Sequence, residues 1–292
     1  MSKILITGTN SFVGIDFKEF SRYKDIDCVS LIENSPKEIV YHGYDVVLHL
    51  TAIVHQDKSI PDTEYFRVNR DLALEVAKNA KRDGISQFVF MSTIKVYGDD
   101  GSSKEVQNEN SPCKPQEAYG KSKYEAELGL QELEDEHFKV AIVRTPLIYG
   151  EGVKANMFKF IKLVEKFPFL PFGKLENKRS ITYVGNLAGY LDKIIELEVS
   201  GIFIAQDEKA ISTTDLVSYI AHGLSRNVKL INLPKFMLRL FYQIAPNTSA
   251  RLFDSLEFNN TFTKEKLNYI PSYKTKEGIE RMVNYYKNNK ES

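Results

Sequence analysis

The chain has 292 residues, 42% of them apolar and 27% charged, with Lys+Arg and Asp+Glu both at 39. This composition excludes disorder, and zero net charge argues against a general nucleic-acid binder, which carries a basic excess. At roughly 100–200 residues per domain, the length predicts one large domain, or one with a smaller lobe.

The run 4–7, Ile-Leu-Ile-Thr, stops at Gly8 and reads as a buried strand. Residues 12–22 predict a helix, 28–32 a second strand and 45–50 a third. A polar helix is expected at about 64–83, then a strand over 87–91, a long helix over 117–136 and a strand over 139–143. Short buried strands alternating with helices indicate a doubly wound parallel sheet with crossover helices. Between Glu33 and Asp45 there is too little chain for a full helix–strand unit, so one is missing or abbreviated. The polar tract 99–115 is long for a connection and reads as a functional loop. After residue 150 the alternation becomes irregular: a helix over 155–166, a strand over 201–205 added to the same sheet, and mostly helical pieces over 207–292. Cys28 and Cys113 have neither metal-ligand spacing nor a disulfide framework and read as two free thiols in a reducing compartment. No apolar run approaches the ~18–20 residues of a membrane span, and the first is too short for a secretory signal. A soluble, cytoplasmic protein is expected.

The turn 8–14, Gly-Thr-Asn-Ser-Phe-Val-Gly, follows the first strand and opens the first helix. Such a turn lets backbone N–H groups and a helix N-terminus face a pyrophosphate. Gly8, Asn10, Ser11, Phe12, Val13 and Gly14 are its candidate dinucleotide contacts, although Ser11 stands where the short G-x-x-G-x-x-G form has its middle glycine. An acid about 20 residues further on commonly binds the adenosine ribose. Glu33 is the nearest candidate, and it reads equally well as a solvated loop acid. These features predict a Rossmann-type domain over 1–150 plus about 180–205. A smaller, mainly helical lobe over about 151–179 and 206–292 interleaves with it, and substrate is expected in the crevice between the two.

The strongest signal is Tyr119-Gly120-Lys121-Ser122-Lys123, preceded by Ser92-Thr93 at the end of a strand. On a helix Tyr119 and Lys123 are i and i+4 and share a face. A lysine ammonium beside a phenol favours phenolate, so the tyrosine pKa is expected to fall from about 10. That would make Tyr119 a general acid/base, with the Thr93 hydroxyl holding the substrate oxygen beside it. The bland alternative is a surface Tyr–Lys pair.

With these motifs the chain resembles the extended short-chain dehydrogenases, the group of NAD-dependent sugar epimerases, dehydratases and ketoreductases. The likeness runs through most of the chain. Segment 88–98 resembles the family's strand and catalytic-hydroxyl segment, with Thr93 in the hydroxyl position. Leu50-Thr51-Ala52 is similar to its cofactor-side turn and Asn69 to the asparagine of its "V-N" helix. Arg144 to Gly150 is similar to its R-P-x-x-x-Y-G segment. Asn156 and Arg179 match positions that bind a nucleotide sugar and its diphosphate, and Leu267 to Ile279 resembles the C-terminal run. The resemblance implies NAD or NADP as cofactor and a UDP-sugar substrate. It further implies hydride transfer at the sugar C4 with Lys123 also on the nicotinamide ribose, and a homodimer built on the helices near 64–83 and 117–135. Within the group, the chain is most similar to capsule enzymes that reduce a UDP-4-keto-6-deoxy-N-acetylhexosamine, such as those forming UDP-N-acetyl-fucosamine. Leu147 replaces an asparagine common in epimerases and dehydratases. Ile94-Lys95 replaces the Asp-Glu of dehydratases, which argues against 4,6-dehydration.

The trio Thr93, Tyr119 and Lys123 serves a C4 ketoreductase and a UDP-glucose or UDP-N-acetylglucosamine 4-epimerase equally. A non-catalytic dinucleotide sensor is a third reading, which the intact trio argues against. Lys95, after the catalytic strand, and Arg251 are further candidates for substrate or phosphate contact, each balanced by a solvated-surface reading. His49 and His55 have no partner at metal spacing and are expected to pack rather than ligate, so no metal is anticipated. The apolar run 236–244 is expected to be a buried or lid helix rather than an anchor, with an interfacial helix as the alternative.

Overall fold

A computed structural model describes residues 2–54, 60–98 and 106–290; His55 and residues 99–105 of the polar tract lie outside them. The chain begins β1 (Ile4–Thr7), α1 (Phe12–Phe20), β2 (Ile26–Val29), β3 (Val46–His49) and α2 (Asp62–Phe66). Wider π-type turns over Arg67–Leu72 lead into α3 (Ala73–Arg82), then β4 (Gln87–Thr93), a 3₁₀ turn (Ile94–Tyr97), α4 (Ala118–Gln131) and β5 (Lys139–Thr145). Next come β6 (Leu147–Tyr149), α5 (Ala155–Lys166), β7 (Phe169–Leu170), β8 (Ile181–Tyr183), α6 (Val184–Glu196) and β9 (Gly201–Ile204). The remainder is α7 (Thr213–Gly223), β10 (Lys229–Leu230), α8 (Lys235–Ile244), α9 (Pro246–Phe253), α10 (Thr261–Leu267) and α11 (Thr275–Asn288).

Six parallel strands form the central sheet in the order β2-β1-β3-β4-β5-β9. Side chains alternate across it, as the period of two requires. Ile4, Ile6, Leu48, Val89 and Val143 pack on one face with Leu187, Leu191 and Ile194 of α6. Leu5, Val47, Phe88, Phe90 and Ile142 pack on the other with Ala73, Val76 and Ala77 of α3 and Ala126 and Leu130 of α4. Burial on both faces explains why these strands are unbroken apolar runs. The chain leaves β2 and crosses β1 to form β3, so strand order reverses between β1 and β3. Ligands bind at such a reversal in open α/β sheets.

A further apolar cluster gathers Tyr149, Ile181 and Tyr183 with Met157 and Ile161 of α5, Val217 and Ile220 of α7, and Ile279, Met282 and Val283 of α11. Around it β6 pairs with β8, and β7 with β10, each in parallel. These two- and three-residue strands were not read from the sequence.

Several boundaries differ from expectation. The second strand ends at Val29 because the Ser30 carbonyl accepts from the Asn34 backbone and side-chain amides, at 3.2 and 3.0 Å, and turns the chain. The first helix ends at Phe20, where the Ser21 N–H still bonds the Phe17 carbonyl but the Ser21 hydroxyl donates to Asp192 at 2.5 Å. The run 236–244 is helical but not buried: its apolar stripe faces outward. Cys28 and Cys113 are half-buried free thiols.

Candidate active site

The turn after β1 is built by close approach. Gly8 has φ +99°, and a Cβ there would stand 3.3 Å from both the Thr51 nitrogen and its Oγ1. A Cβ on Gly14 would stand 2.6 Å from the Ser11 Oγ and 3.2 Å from a Leu50 methyl. Both bare positions therefore lie against the segment after β3, at the reversal of strand order. Ser11 has ordinary extended angles, φ −71° and ψ 138°, so nothing here demands the missing glycine. It caps α1 instead, accepting from the Gly14 N–H at 3.1 Å. Thr51 and Ala52 are half-buried, Phe12, Val13 and Leu50 likewise, and Asn10 is exposed. The buried Oγ1 of Thr51 has no hydrogen-bond partner among the described residues. A side-chain-free cradle over a helix N-terminus, with a spare hydroxyl in its wall, fits the pyrophosphate of a dinucleotide.

Thr93 closes β4 and is buried. Tyr119 and Lys123 stand one turn apart on α4, as the spacing predicted. The Thr93 hydroxyl lies beside the Tyr119 phenol and acts to lower its pKa. The Lys123 Nζ donates to the Met91 carbonyl at 2.8 Å and lies 4.3 Å over the Phe90 ring. Two electrostatic consequences follow. Burial pushes the Tyr119 phenol up, against a smaller lowering by Thr93, so the expected fall toward phenolate is not found. The physical reason is that the ammonium is turned to the Met91 carbonyl. Burial also lowers Lys123 to about 7, opposed by nearby Glu127.

Gly120 sets this geometry. A Cβ there would meet the Lys95 carbonyl oxygen at 2.8 Å, so the bare glycine lets the first turn of α4 seat on the 94–97 turn. Lys95 itself is half-buried, and its N–H donates to the Thr93 Oγ1 at 3.2 Å. Behind the trio, Glu127 and Arg144 form an ion pair at 2.6 Å with 1% and 2% of their side chains exposed. The Arg144 guanidinium also donates to the Tyr97 hydroxyl at 2.7 Å, and Ser92 donates to Glu127. The sequence reading did not single out Glu127 or Gly120. The continued i+4 spacing Tyr119, Lys123, Glu127 was the available signal for the first.

Other sequence-predicted residues fall differently. Asn69 is fully buried in the π-type turns. Its carbonyl accepts from the Ile53 N–H at 2.8 Å, and its amide donates to the Ile53 carbonyl at 3.0 Å and to Ser122 at 3.1 Å. Through these bonds Asn69 fixes the loop after β3. Glu33 lies exposed in the turn that follows β2. His49 is buried, shares a 2.9 Å hydrogen bond with the Thr7 hydroxyl, and stacks on Phe88 and Phe90. Burial and Lys123 push it down to about 3, so it stays neutral.

Arg179 and Arg251 come together. The Arg179 guanidinium donates to the carbonyls of Asp254 at 2.9 Å and Ala250 at 3.4 Å, and its pKa is lowered by burial and by Arg251. Phe258 ties this region to the trio's wall: its ring lies 5.4 Å from Tyr97 and its N–H donates to Ser180 at 3.1 Å. Asn156 is exposed in the first turn of α5. A groove of about 640 Å³ between α5 and α11, lined by Phe158, Ile161, Met282 and Tyr285, contains none of the trio.

A parallel sheet with a glycine turn at its order reversal, and a Thr–Tyr–Lys trio beside it, is the arrangement of a short-chain dehydrogenase. The model of the NAD dependent epimerase/dehydratase family matches residues 4–203, and the chain belongs to that family. It is an enzyme of the extended short-chain dehydrogenase type. Its relatives include sugar 4-epimerases and dTDP-D-glucose 4,6-dehydratases. UDP-glucose 4-epimerase of Vibrio cholerae is 29% identical over 95% of this chain and 93% of its own length. N-acetyl-alpha-D-glucosaminyl-diphospho-ditrans,octacis-undecaprenol 4-epimerase of Escherichia coli O157:H7 is 27% identical over 66% of this chain and 58% of its own length. The same fold is seen in the dTDP-4-dehydrorhamnose reductase of Clostridium acetobutylicum, with TM-score 0.78 and 22% identity, covering 98% of this chain and 99% of that one.

Proposed function

We propose that this protein is an NAD(P)-dependent oxidoreductase acting at C4 of a UDP-sugar. The reaction favoured is reduction of a UDP-4-keto-6-deoxy-N-acetylhexosamine for capsule or other surface polysaccharide. The observation that carries the C4 chemistry is the placement of Thr93, at the end of β4, beside Tyr119, itself one turn from Lys123 on α4. When bound, the nicotinamide supplies or receives the hydride. Tyr119 gives its proton to O4 as the 4-keto group is reduced. Thr93 orients that oxygen through the same hydroxyl pair. Lys123 lies within reach of a ribose beside the trio and holds positive charge below about pH 7. The segments 151–179 and 206–292 carry the substrate side. There Arg179 and Arg251 suit a diphosphate, since a guanidinium matches phosphate bidentately. The name of the Escherichia coli relative gives a diphospho-undecaprenol carrier in place of a nucleotide, and the same pair suits either diphosphate. The enzyme works in the cytoplasm as a homodimer built on the helices near 64–83 and 117–135.

The Vibrio cholerae relative favours a second reading, 4-epimerisation of UDP-glucose or UDP-N-acetylglucosamine. Leu147 at the asparagine position of many epimerases speaks for the reductase. Incubation with UDP-4-keto-6-deoxy-N-acetylglucosamine and NAD(P)H separates the two. Reduction consumes the reduced-nicotinamide absorbance stoichiometrically and yields a 4-hydroxy sugar. Unchanged absorbance, together with conversion of UDP-N-acetylglucosamine to its C4 epimer without added cofactor, assigns the epimerase. Cofactor binding with neither reaction leaves the sensor.

A further inference from the structure

Helix α8 presents Phe236, Met237, Leu240, Phe241 and Ile244 to solvent, with Phe236 71%, Leu240 53% and Ile244 73% exposed. The spacing i, i+1, i+4, i+5, i+8 gathers them into one stripe roughly 140° wide. The opposite side of the helix is occupied: Leu238 is half-buried, and the half-buried Tyr242 donates its hydroxyl to Asp254; at the stripe's edge Phe241, 41% exposed, lies 6.4 Å from the Phe253 ring of α9, as Tyr242 does. Between β10 and α8, Ile231 is exposed and its N–H donates to the Leu170 carbonyl of β7 at 2.8 Å.

Charge singles out the same stretch. Residues 216–253 contain Arg226, Lys229, Lys235, Arg239 and Arg251 and no Asp or Glu, in a chain whose formal charge is zero. Arg226, Lys229, Arg239 and Arg251 are exposed. An outward apolar stripe on a helix inside an acid-free basic segment complements a surface that is apolar within and anionic at its face.

We propose that α8 is an interfacial helix that seats this protein on an anionic lipid bilayer. The helix lies in the plane of the interface, its stripe at the headgroup–acyl boundary and its cations among the headgroups. A second copy of the chain is the weaker occupant on area. Five such side chains expose on the order of 400–500 Å² together, against ~800 Å² per partner in a stable dimer interface. Because α9 lies directly behind α8 and carries Arg251 and the carbonyls that hold Arg179, docking sets that arginine pair on the membrane side of the molecule. The inference does not depend on which C4 reaction is catalysed.

The test is flotation of the full chain, with NAD(P)H bound, on phosphatidylglycerol-rich vesicles and on pure phosphatidylcholine vesicles. The wild type is expected to float with the anionic vesicles and to be partly released by salt. The combined variant Phe236→Ser, Leu240→Ser, Ile244→Ser should lose more than about tenfold in partitioning. Arg239→Glu should lose about fivefold or more on anionic vesicles only. Both variants should keep the solution activity and melting temperature of the wild type. Absence of wild-type flotation overturns the proposal, as does equal flotation of the triple variant. A dimer in sedimentation velocity that the triple variant abolishes, without vesicle binding, overturns it in favour of a second copy.

Discussion

Burial holds the Tyr119 phenol above the ordinary tyrosine pKa of 10.0, against a smaller lowering by Thr93. A phenol that carries its proton can serve as the general acid of the proposed reduction. Tyr119→Phe is expected to lower kcat by about 10²–10⁴-fold, the usual contribution of a general acid/base, with NAD(P)H affinity unchanged by fluorescence titration. In the same assay Thr93→Ala should cost less and Thr93→Ser almost nothing, since serine keeps the hydroxyl. Lys123 gives a pH signature. Folded, it holds its proton only below about 7; unfolded, it holds it to about 10.5. Between these values the unfolded chain binds more protons, so stability from this group rises as pH rises through the window. Lys123→Met should remove that slope in melting temperature between about pH 7 and pH 10; a slope equal to wild type would show that another group produces it.

The first turn of α4 can seat on the 94–97 turn only because Gly120 has no side chain. Its absent Cβ would stand 2.8 Å from a backbone carbonyl, that of Lys95, whereas the absent Cβ of Gly129 would stand 2.8 Å from the movable end of Leu74. Gly120→Val should thus tilt the first turn of α4, cost about 1–3 kcal/mol in denaturant unfolding and lower kcat at least tenfold, while Gly129→Ala keeps activity. Elements of this length were readable in advance where a period ran long enough. The sheet strands appear as short apolar runs, the second displaced by two residues or more, and Tyr119 and Lys123 declare their shared face by four-residue spacing. The β6–β8 and β7–β10 pairings were not readable, because two or three residues carry no period. Nor was the commitment of the Asn69 amide to Ile53 and Ser122, which depends on contacts between distant elements. The expected fall in the Tyr119 pKa failed for a related reason: spacing puts a lysine on the right face but does not say which acceptor its ammonium will choose.

Across the molecule, the trio rests on the buried Glu127–Arg144 pair, which joins α4 to β5 and, through Tyr97, to the turn after β4. Glu127→Ala would leave the Arg144 guanidinium enclosed without its counter-charge. A loss of about 3–5 kcal/mol in urea unfolding is expected, since breaking a buried pair from one side costs far more than the pair contributes. The same wall is completed from far along the chain. Asn259 donates its N–H to the Gln107 carbonyl at 2.8 Å, and Thr263 bonds both the Glu109 carboxylate and, at 2.8 Å, the Ile204 N–H of β9. Glu109 and Thr263 are 154 residues apart. At about 5–20 residues per second of synthesis, that separation is a wait of roughly 8–30 s on the ribosome. During it the catalytic strand is already made but the residues that close its flank are not. Chaperone occupancy on stalled nascent chains should therefore be greatest before residue 263 leaves the exit tunnel.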